Sequence, residues 1–346
     1  MHSKTNTFQA IDGYPERIPF NPLVMHLAAS LMGVDYSGEL CRKPELLAKA
    51  QVKCANFFGI DSILAGTDAY REASAWGIEV SYDAHTPVPK NHLDWREFDA
   101  IEDPDLNAAP RIQERMETIK HMKKMEQEKV IFGWIEAPFA ELAYLFDLME
   151  AVKIMREENW VQIYKKLLKR IVPVELEFAK MQIEAGVDIM GCGDAAISQI
   201  GPKRYKLASL DETRYLFDQI REDVPVLYHC CGDNSGVDRE GNDMLELIAS
   251  TGADIVDIDF QVDLAMAKEK IGKKICLRGN TNTSILGDPY ERPERIVHEV
   301  TRNLNDGKPG ELYMYGAGCE WPWEPLDMAI RNMSIAKALT EKLGWY

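Results

Sequence analysis

Residues 252–280 read GADIVDIDFQVDLAMAKEKIGKKICLRGN. The first part, ADIVDIDF (253–260), is a short and nearly continuous apolar run. The second, VDLAMAKEKIG (262–272), sets apolar residues at steps of three and four with charges opposite, as an amphipathic helix does. The third, KICLRGN (274–280), is again a compact apolar run. Strand, helix and strand in so short a stretch form the unit of a parallel sheet covered on both faces.

The unit repeats along the chain. IPFNPLVM (18–25), GIDSILAG (59–66), VIFGWIEA (130–137), GVDIMGCG (186–193), VPVLYHCC (224–231) and LYMYGAG (312–318) bring the strand-like runs to eight. ETRYLFDQIRE (212–222), DMLELIAST (243–251) and PERIVHEVTRNLNDG (293–307) are further amphipathic stretches. Pro293 suits a first helical turn and Gly307 a helix end. Eight strand–helix units predict an α/β fold, a (β/α)8 barrel, as one domain over 1–346. Two stretches break the repeat. An insertion is expected over 80–128, opening with the Pro-, Asp- and His-rich 80–110, and long helical material over 156–186. KHMKKMEQEK (120–129) and KKLLKR (165–170) are dense basic patches, read as solvated helix faces or as docking faces for an acidic partner.

Composition narrows the class. The 346 residues are 46% hydrophobic, enough for a large core, and carry a net charge of −16. So acidic a chain does not offer the basic stripe that nucleic acid needs. Every apolar run is far shorter than the roughly 20 residues of a membrane span. The N-terminus lacks the apolar centre of a signal peptide. Seven cysteines, at 41, 54, 192, 230, 231, 276 and 319, do not form a secreted disulfide framework and point to a reducing cytoplasm.

Chemistry concentrates where strands end. Side chains alternate across a strand, so in YHCCG (228–232) His229 and Cys231 face one way and Cys230 the other. Adjacent cysteines in an extended chain diverge, which argues against a Cys230–Cys231 disulfide. Cys319 follows the last apolar run at an equivalent place. Barrel active sites are built from the C-terminal ends of strands, so His229, Cys231 and Cys319 can converge there. One imidazole and two thiolates suit zinc, and three protein ligands leave a fourth position open. The alternative is buried cysteines that simply pack. Asp68, Glu136, Asp194, Asp259 and Asn280 also end or follow such runs. Each is either a site residue or a helix cap or loop anchor. Trp321 and Trp323 beside Cys319, and Trp134 near Glu136, are pocket walls or helix packing.

GDAAIS (193–198), YHCCGD (228–233), residues 252–280 and GAGCEWPWEPLDMA (316–329) resemble the uroporphyrinogen decarboxylase superfamily, and its zinc-dependent, corrinoid-linked methyltransferase branch in particular. The resemblance implies a distorted (β/α)8 TIM barrel with an N-terminal helical extension, placed at 1–17. It implies zinc on His229, Cys231 and Cys319, with Asp259 the best match for an acidic residue that completes the sphere when substrate is absent. Asp68, Glu136, Asp194, Asn280 and Trp321 are then expected around the substrate and corrinoid pocket. No Asp-x-His-x-x-Gly cobalamin motif occurs in the chain, so the corrinoid (cobalamin) is expected on a separate partner protein. The implied activity is methyl transfer between that corrinoid protein and a small molecule, either a thiol or a methyl ether such as a methoxylated aromatic. The ligand charges favour the thiol and the tryptophans the ether. Two alternatives stay open. One is a metal-free decarboxylase, although Arg17 stands alone where that branch carries several arginines. The other is a non-catalytic barrel. A homodimer is also left open.

Overall fold

A computed structural model describes residues 3–346. In chain order the strands are β1 (Ser62–Leu64), β2 (Val80–Ser81), β3 (Val88–Pro89), β4 (Val130–Glu136), β5 (Ile189–Gly193), β6 (Val226–His229), β7 (Ile255–Ile258), β8 (Cys276–Thr281) and β9 (Tyr313–Ala317). All but β2 and β3 join one curled sheet, ordered β1-β4-β5-β6-β7-β8-β9, in which every neighbouring pair is parallel. Helices cover its outside, so the architecture is the expected distorted TIM barrel. The first eight in chain order are α1 (Ser3–Asp12), α2 (His26–Met32), α3 (Pro44–Phe58), α4 (Arg71–Ala75), α5 (Pro110–Met125), α6 (Pro138–Phe146), α7 (Leu148–Ile154) and α8 (Trp160–Ala185).

The eighth apolar run, 18–25, is not a strand. It lies extended between β9 and β1 and makes isolated parallel bridges, Phe20 to Tyr315 and Leu23 to Glu320. Tyr315 N–H donates to Pro19 O at 2.9 Å and Asp61 N–H donates to Phe20 O at 2.9 Å, so the run touches both edges of the sheet. Pro19 and Pro22 lack the N–H that a continuous ladder requires, which reduces the pairing to these bridges.

The period-two alternation of each strand explains why the runs read as continuously apolar. One set of side chains, including Phe132, Ile189, Leu227, Ile255, Cys276 and Met314, fills the barrel interior. The other set, including Ile131, Met190, Val226, Val256, Leu277 and Tyr313, faces the helices. Both faces are buried, and each fully buried side chain of this size contributes about 1.5–3 kcal/mol. Helix α1 closes the N-terminal end of the barrel by packing Phe8, Ala10 and Ile11 against the interior set.

Residues 80–128 contain three pieces. β2 and β3 pair antiparallel, with Val80 opposite Pro89 and Ser81 opposite Val88. A loop follows, and then α5, which packs against α3 and α8. Gly307 does end its helix, Pro293–Gly307, but not by a left-handed turn. A side chain there would begin 2.4 Å from the Tyr313 ring, so close packing is what requires glycine. Among the described residues no helix is long and apolar enough to cross a membrane.

Candidate metal centre and its cavity

Strand β6 ends at His229, whose ring points into the barrel, and the chain then turns through Cys230–Gly232. Gly232 has φ +95, and a side chain on it would meet Ser198 Oγ at 2.5 Å, so only glycine allows this exit. Beyond β9, Gly318 passes within 2.3 Å (measured from where its Cβ would stand) of Phe260 N, which brings Cys319 in beside the end of β7. His229, Cys231 and Cys319 meet as a result. Cys231 Sγ lies 2.8 Å from His229 Nε2, Cys319 Sγ lies 3.9 Å from it, and the sulfurs are 3.6 Å apart. These donor atoms all fall within 4.8 Å of one another. Around a tetrahedral zinc, donors lie about 3.3–3.8 Å apart, given bonds of about 2.0–2.3 Å. The observed triangle brackets that spacing, so the residues fit the metal.

Electrostatics point the same way. Burial disfavours charge on His229, but Asp257 and then Cys319 outweigh it and raise the imidazole to about 10. Cys319 is lowered to about 4, first by a hydrogen bond from Cys231 and then, against burial, by His229. Cys231 is raised, by Cys319 foremost and then by burial. Without a cation, the two sulfurs therefore share one proton and one negative charge beside an imidazolium. A divalent cation would take the place of these protons.

Behind the ligands stands a row that the sequence reading missed. In sheet register His229 faces Asp257, and Asp257 faces Arg278. Asp257 Oδ2 is 2.6 Å from His229 Nδ1, and Arg278 reaches the same carboxylate with Nε and Nη2, both at 2.6 Å. Nδ1 is thereby kept protonated and Nε2 turned towards the sulfurs, which is how a carboxylate behind a histidine tunes a metal ligand. A charge in the middle of a strand buried on both faces was the available signal. Asp257 and Arg278 each stand there in adjacent apolar runs.

The other expected residues separate into two groups. Asp68 and Glu136 line a cavity of about 230 Å³ together with His229, Cys231 and Cys319. Its remaining wall is largely apolar and includes Leu23, Met25, Leu64, Trp134 and Tyr144. Asp68 bonds Arg111 at 2.6 Å and Thr67 at 2.8 Å. Against the effect of burial, Arg111 and Arg71 lower its carboxyl to about 2. Glu136 Oε1 accepts Trp134 Nε1–H at 3.0 Å, and burial, then Glu72 and Glu141, push its carboxyl well above the usual range. Gly191 and Gly193 leave space for this pair, since a Cβ at Gly191 would stand 2.5 Å from the Trp134 ring and one at Gly193 2.8 Å from Glu136 Oε2.

Asp194, Asn280, Trp321 and Asp259 do not join the cavity wall, and each has a local reason. Gly193 and Ala195 reach the cavity, so alternation turns Asp194 away, where Tyr228 donates to it at 2.8 Å. Burial raises that carboxyl to about 7. Asn280 anchors the loop after β7, donating to Asp259 O at 3.2 Å and Val262 O at 2.7 Å. Trp321 donates its backbone N–H to Leu23 O and buries its ring in the outer core, so the aromatic wall comes from Trp134 instead. Asp259 accepts from the N–H of Gly232 and of Gln261, each at 2.9 Å, and stands outside the three-donor group. It braces the turn that carries Cys231. Cys230 is buried in the outer core, away from the donors.

Residues 4–336 match the family model described as uroporphyrinogen decarboxylase (URO-D). A uroporphyrinogen decarboxylase of Geobacter sp. (strain M21) is 25% identical over 313 residues, covering 88% of each chain. One from Geobacter metallireducens is 24% identical over 319 residues, again with 88% of each covered. Among solved structures, a methyltransferase from Methanosarcina mazei superposes with a TM-score of 0.83 at 19% identity, covering 99% of both chains. A B12-independent methionine synthase from Shewanella sp. W3-18-1 superposes at 0.57 with 11% identity, covering 94% of this chain and 97% of the other. These two share the fold.

Proposed function

The chain belongs to the uroporphyrinogen decarboxylase family, and from that premise we propose that it is a zinc-dependent methyltransferase working between a corrinoid protein and a small substrate. The observation that carries this reading is the set of one imidazole nitrogen and two sulfurs at the cavity wall, backed by Asp257. The shared fold with a methyltransferase supports it. His229, Cys231 and Cys319 would hold the zinc. Bound there, zinc would supply Lewis acidity towards a substrate oxygen or stabilise a substrate thiol as thiolate.

The chain's own groups do the rest. Asp257 fixes the His229 tautomer, and Arg278 keeps Asp257 ionised. Leu23, Met25, Leu64, Trp134 and Tyr144 exclude water and accept the apolar part of a small molecule. Arg111 holds Asp68 as an anion at another part of the wall. The corrinoid, on this reading, arrives on a separate protein.

Decarboxylation of uroporphyrinogen, the activity in the relatives' name, fits the cavity poorly. Among the described residues no lysine or arginine lines it, whereas two carboxyls do. Arg17 is spent elsewhere, on Asp61 at 2.6 and 2.8 Å.

The test combines metal analysis with turnover. Purified protein should hold about one zinc per chain. Cob(I)alamin with methoxylated aromatics, or methylcobalamin with thiols, should then show protein-dependent change in cobalt absorbance. Metal-free protein with neither reaction would overturn the reading.

A further inference from the structure

We propose that Glu136 is the proton donor of this cavity and that the methyl group is taken from oxygen, so that the substrate class is a small methyl ether. This deepens the methyltransferase reading and rests on it.

Glu136 ends β4 and lines the same cavity as Cys231 and Cys319. Its Oε1 is held by the Trp134 indole N–H, and its Oε2 stands on the side of Gly193, itself a wall residue. Its backbone N–H donates to Glu72 Oε1 at 3.1 Å, so a second buried carboxyl lies directly behind it. The groups facing it are acidic or neutral on almost every side. They are Glu72 from α4, Glu141 from α6, Glu175 from α8 and Asp194 after β5, with Tyr70 and Tyr144 nearby. Arg115 from α5 offsets the charge of Glu72, and it is committed to Trp134 O and Gln182 Oε1. Buried carboxyls crowded this closely cannot all ionise, and Glu136, with no cation bonded to it, is among those left protonated. Asp68, across the same cavity, has the opposite setting, because Arg111 and Arg71 surround it. Two carboxyls in one cavity, one kept neutral and one kept ionised, divide the acid role from the anionic role.

Proton balance then selects the substrate. In removing methyl from R–O–CH3, the carbon–oxygen bond breaks and its electron pair stays on oxygen. That oxygen takes the Glu136 proton and leaves as R–OH. The methyl carbon accepts an electron pair from the external acceptor, a reduced corrinoid in the proposed reading. Glu136 regains its proton from solvent. Methylation of a thiol releases a proton instead, and a carboxyl held neutral by its surroundings is a poor base for it.

Glu136→Gln keeps the Trp134 contact and removes only the transferable proton. With zinc-loaded protein and cob(I)alamin, demethylation of anisole should fall about 100-fold or more in this variant. 4-Nitroanisole, whose leaving oxygen needs little protonation, should be affected far less, and zinc content should be unchanged. In infrared difference spectra of wild type minus variant near neutral pH, the carbonyl stretch of a protonated carboxyl should appear. An equal loss with both ethers, or ionised-carboxylate bands alone in the difference spectrum, overturns the assignment to Glu136. Wild-type protein that methylates 2-mercaptoethanol from methylcobalamin but leaves both ethers intact overturns the ether assignment while the methyltransferase reading stands. Zinc-loaded protein that does neither overturns both.

Discussion

Asp257 Oδ2 lies 2.6 Å from His229 Nδ1, and the two residues are direct partners across strands β6 and β7. Sheet register itself therefore sets the orientation of the candidate metal ligand. Asp257→Asn keeps the shape but removes the charge that orders the imidazole and balances Arg278. Zinc affinity should drop about 10–100-fold, measured by competition with a chromophoric chelator. Unchanged affinity would show that the contact is only structural.

Cys319 and Cys230 should behave oppositely. Cys319→Ala removes a donor and should abolish stoichiometric zinc. Cys230→Ser changes a buried residue of the outer core and should leave zinc in place. Elemental analysis of both purified variants decides this, and loss of zinc from Cys230→Ser would contradict the orientation of strand β6.

Metal uptake should release protons. Cys231 holds a thiol proton, and His229 is protonated up to about 10 in the metal-free protein. Zinc competes with these protons, so apparent affinity should rise with pH across the neutral range. Addition of zinc to weakly buffered metal-free protein should acidify it. A pH-independent affinity would rule out the shared-proton state of the sulfurs.

Asp68 should mark the acid limit of stability. Its carboxyl is depressed from 3.8 to about 2. Its stabilisation is therefore present above the unfolded value and lost as pH falls through the folded one. That shift corresponds to roughly 2 kcal/mol. Denaturant midpoints from about pH 5 to about pH 2 should fall less steeply in Asp68→Asn than in wild type, although the variant is weaker near neutral pH because Arg111 loses its partner.

Gly191 should tolerate no side chain. A Cβ there would stand 2.5 Å from the Trp134 ring and 3.0 Å from Gly133 O. Gly191→Ala should cost about 1–3 kcal/mol by overpacking. Displacement of Trp134 should also change the protein's tryptophan fluorescence. A variant as stable as wild type would mean that the indole has another position available.

How much of this was legible beforehand depends on the range of each interaction. The seven strands of the barrel sheet and the helix Pro293–Gly307 follow from local pattern, because apolar period and turn residues act within a few positions. The run at 18–25 shows where that signal stops. Its composition is that of a strand, but Pro19 and Pro22 leave too few donors for a ladder. The convergence of His229, Cys231 and Cys319 could be anticipated because a parallel barrel brings the C-terminal ends of its strands to one mouth.

Chain order and alternation thus determined which layer each strand residue enters and which strand ends can meet. They did not determine who bonds whom across the sheet. Asp259 and Asp257 share a face of one short run, yet Asp257 meets His229 while Asp259 braces Gly232 and Gln261. Trp321 was the tryptophan expected at the pocket, yet Trp134 lines the cavity and Trp321 packs in the outer core. Those choices depend on register and on gaps left by Gly191, Gly193 and Gly318, where a single Cβ would collide with a residue brought in from another part of the chain. Distances set by packing between remote segments have no counterpart in local sequence, so the folded arrangement alone decides them.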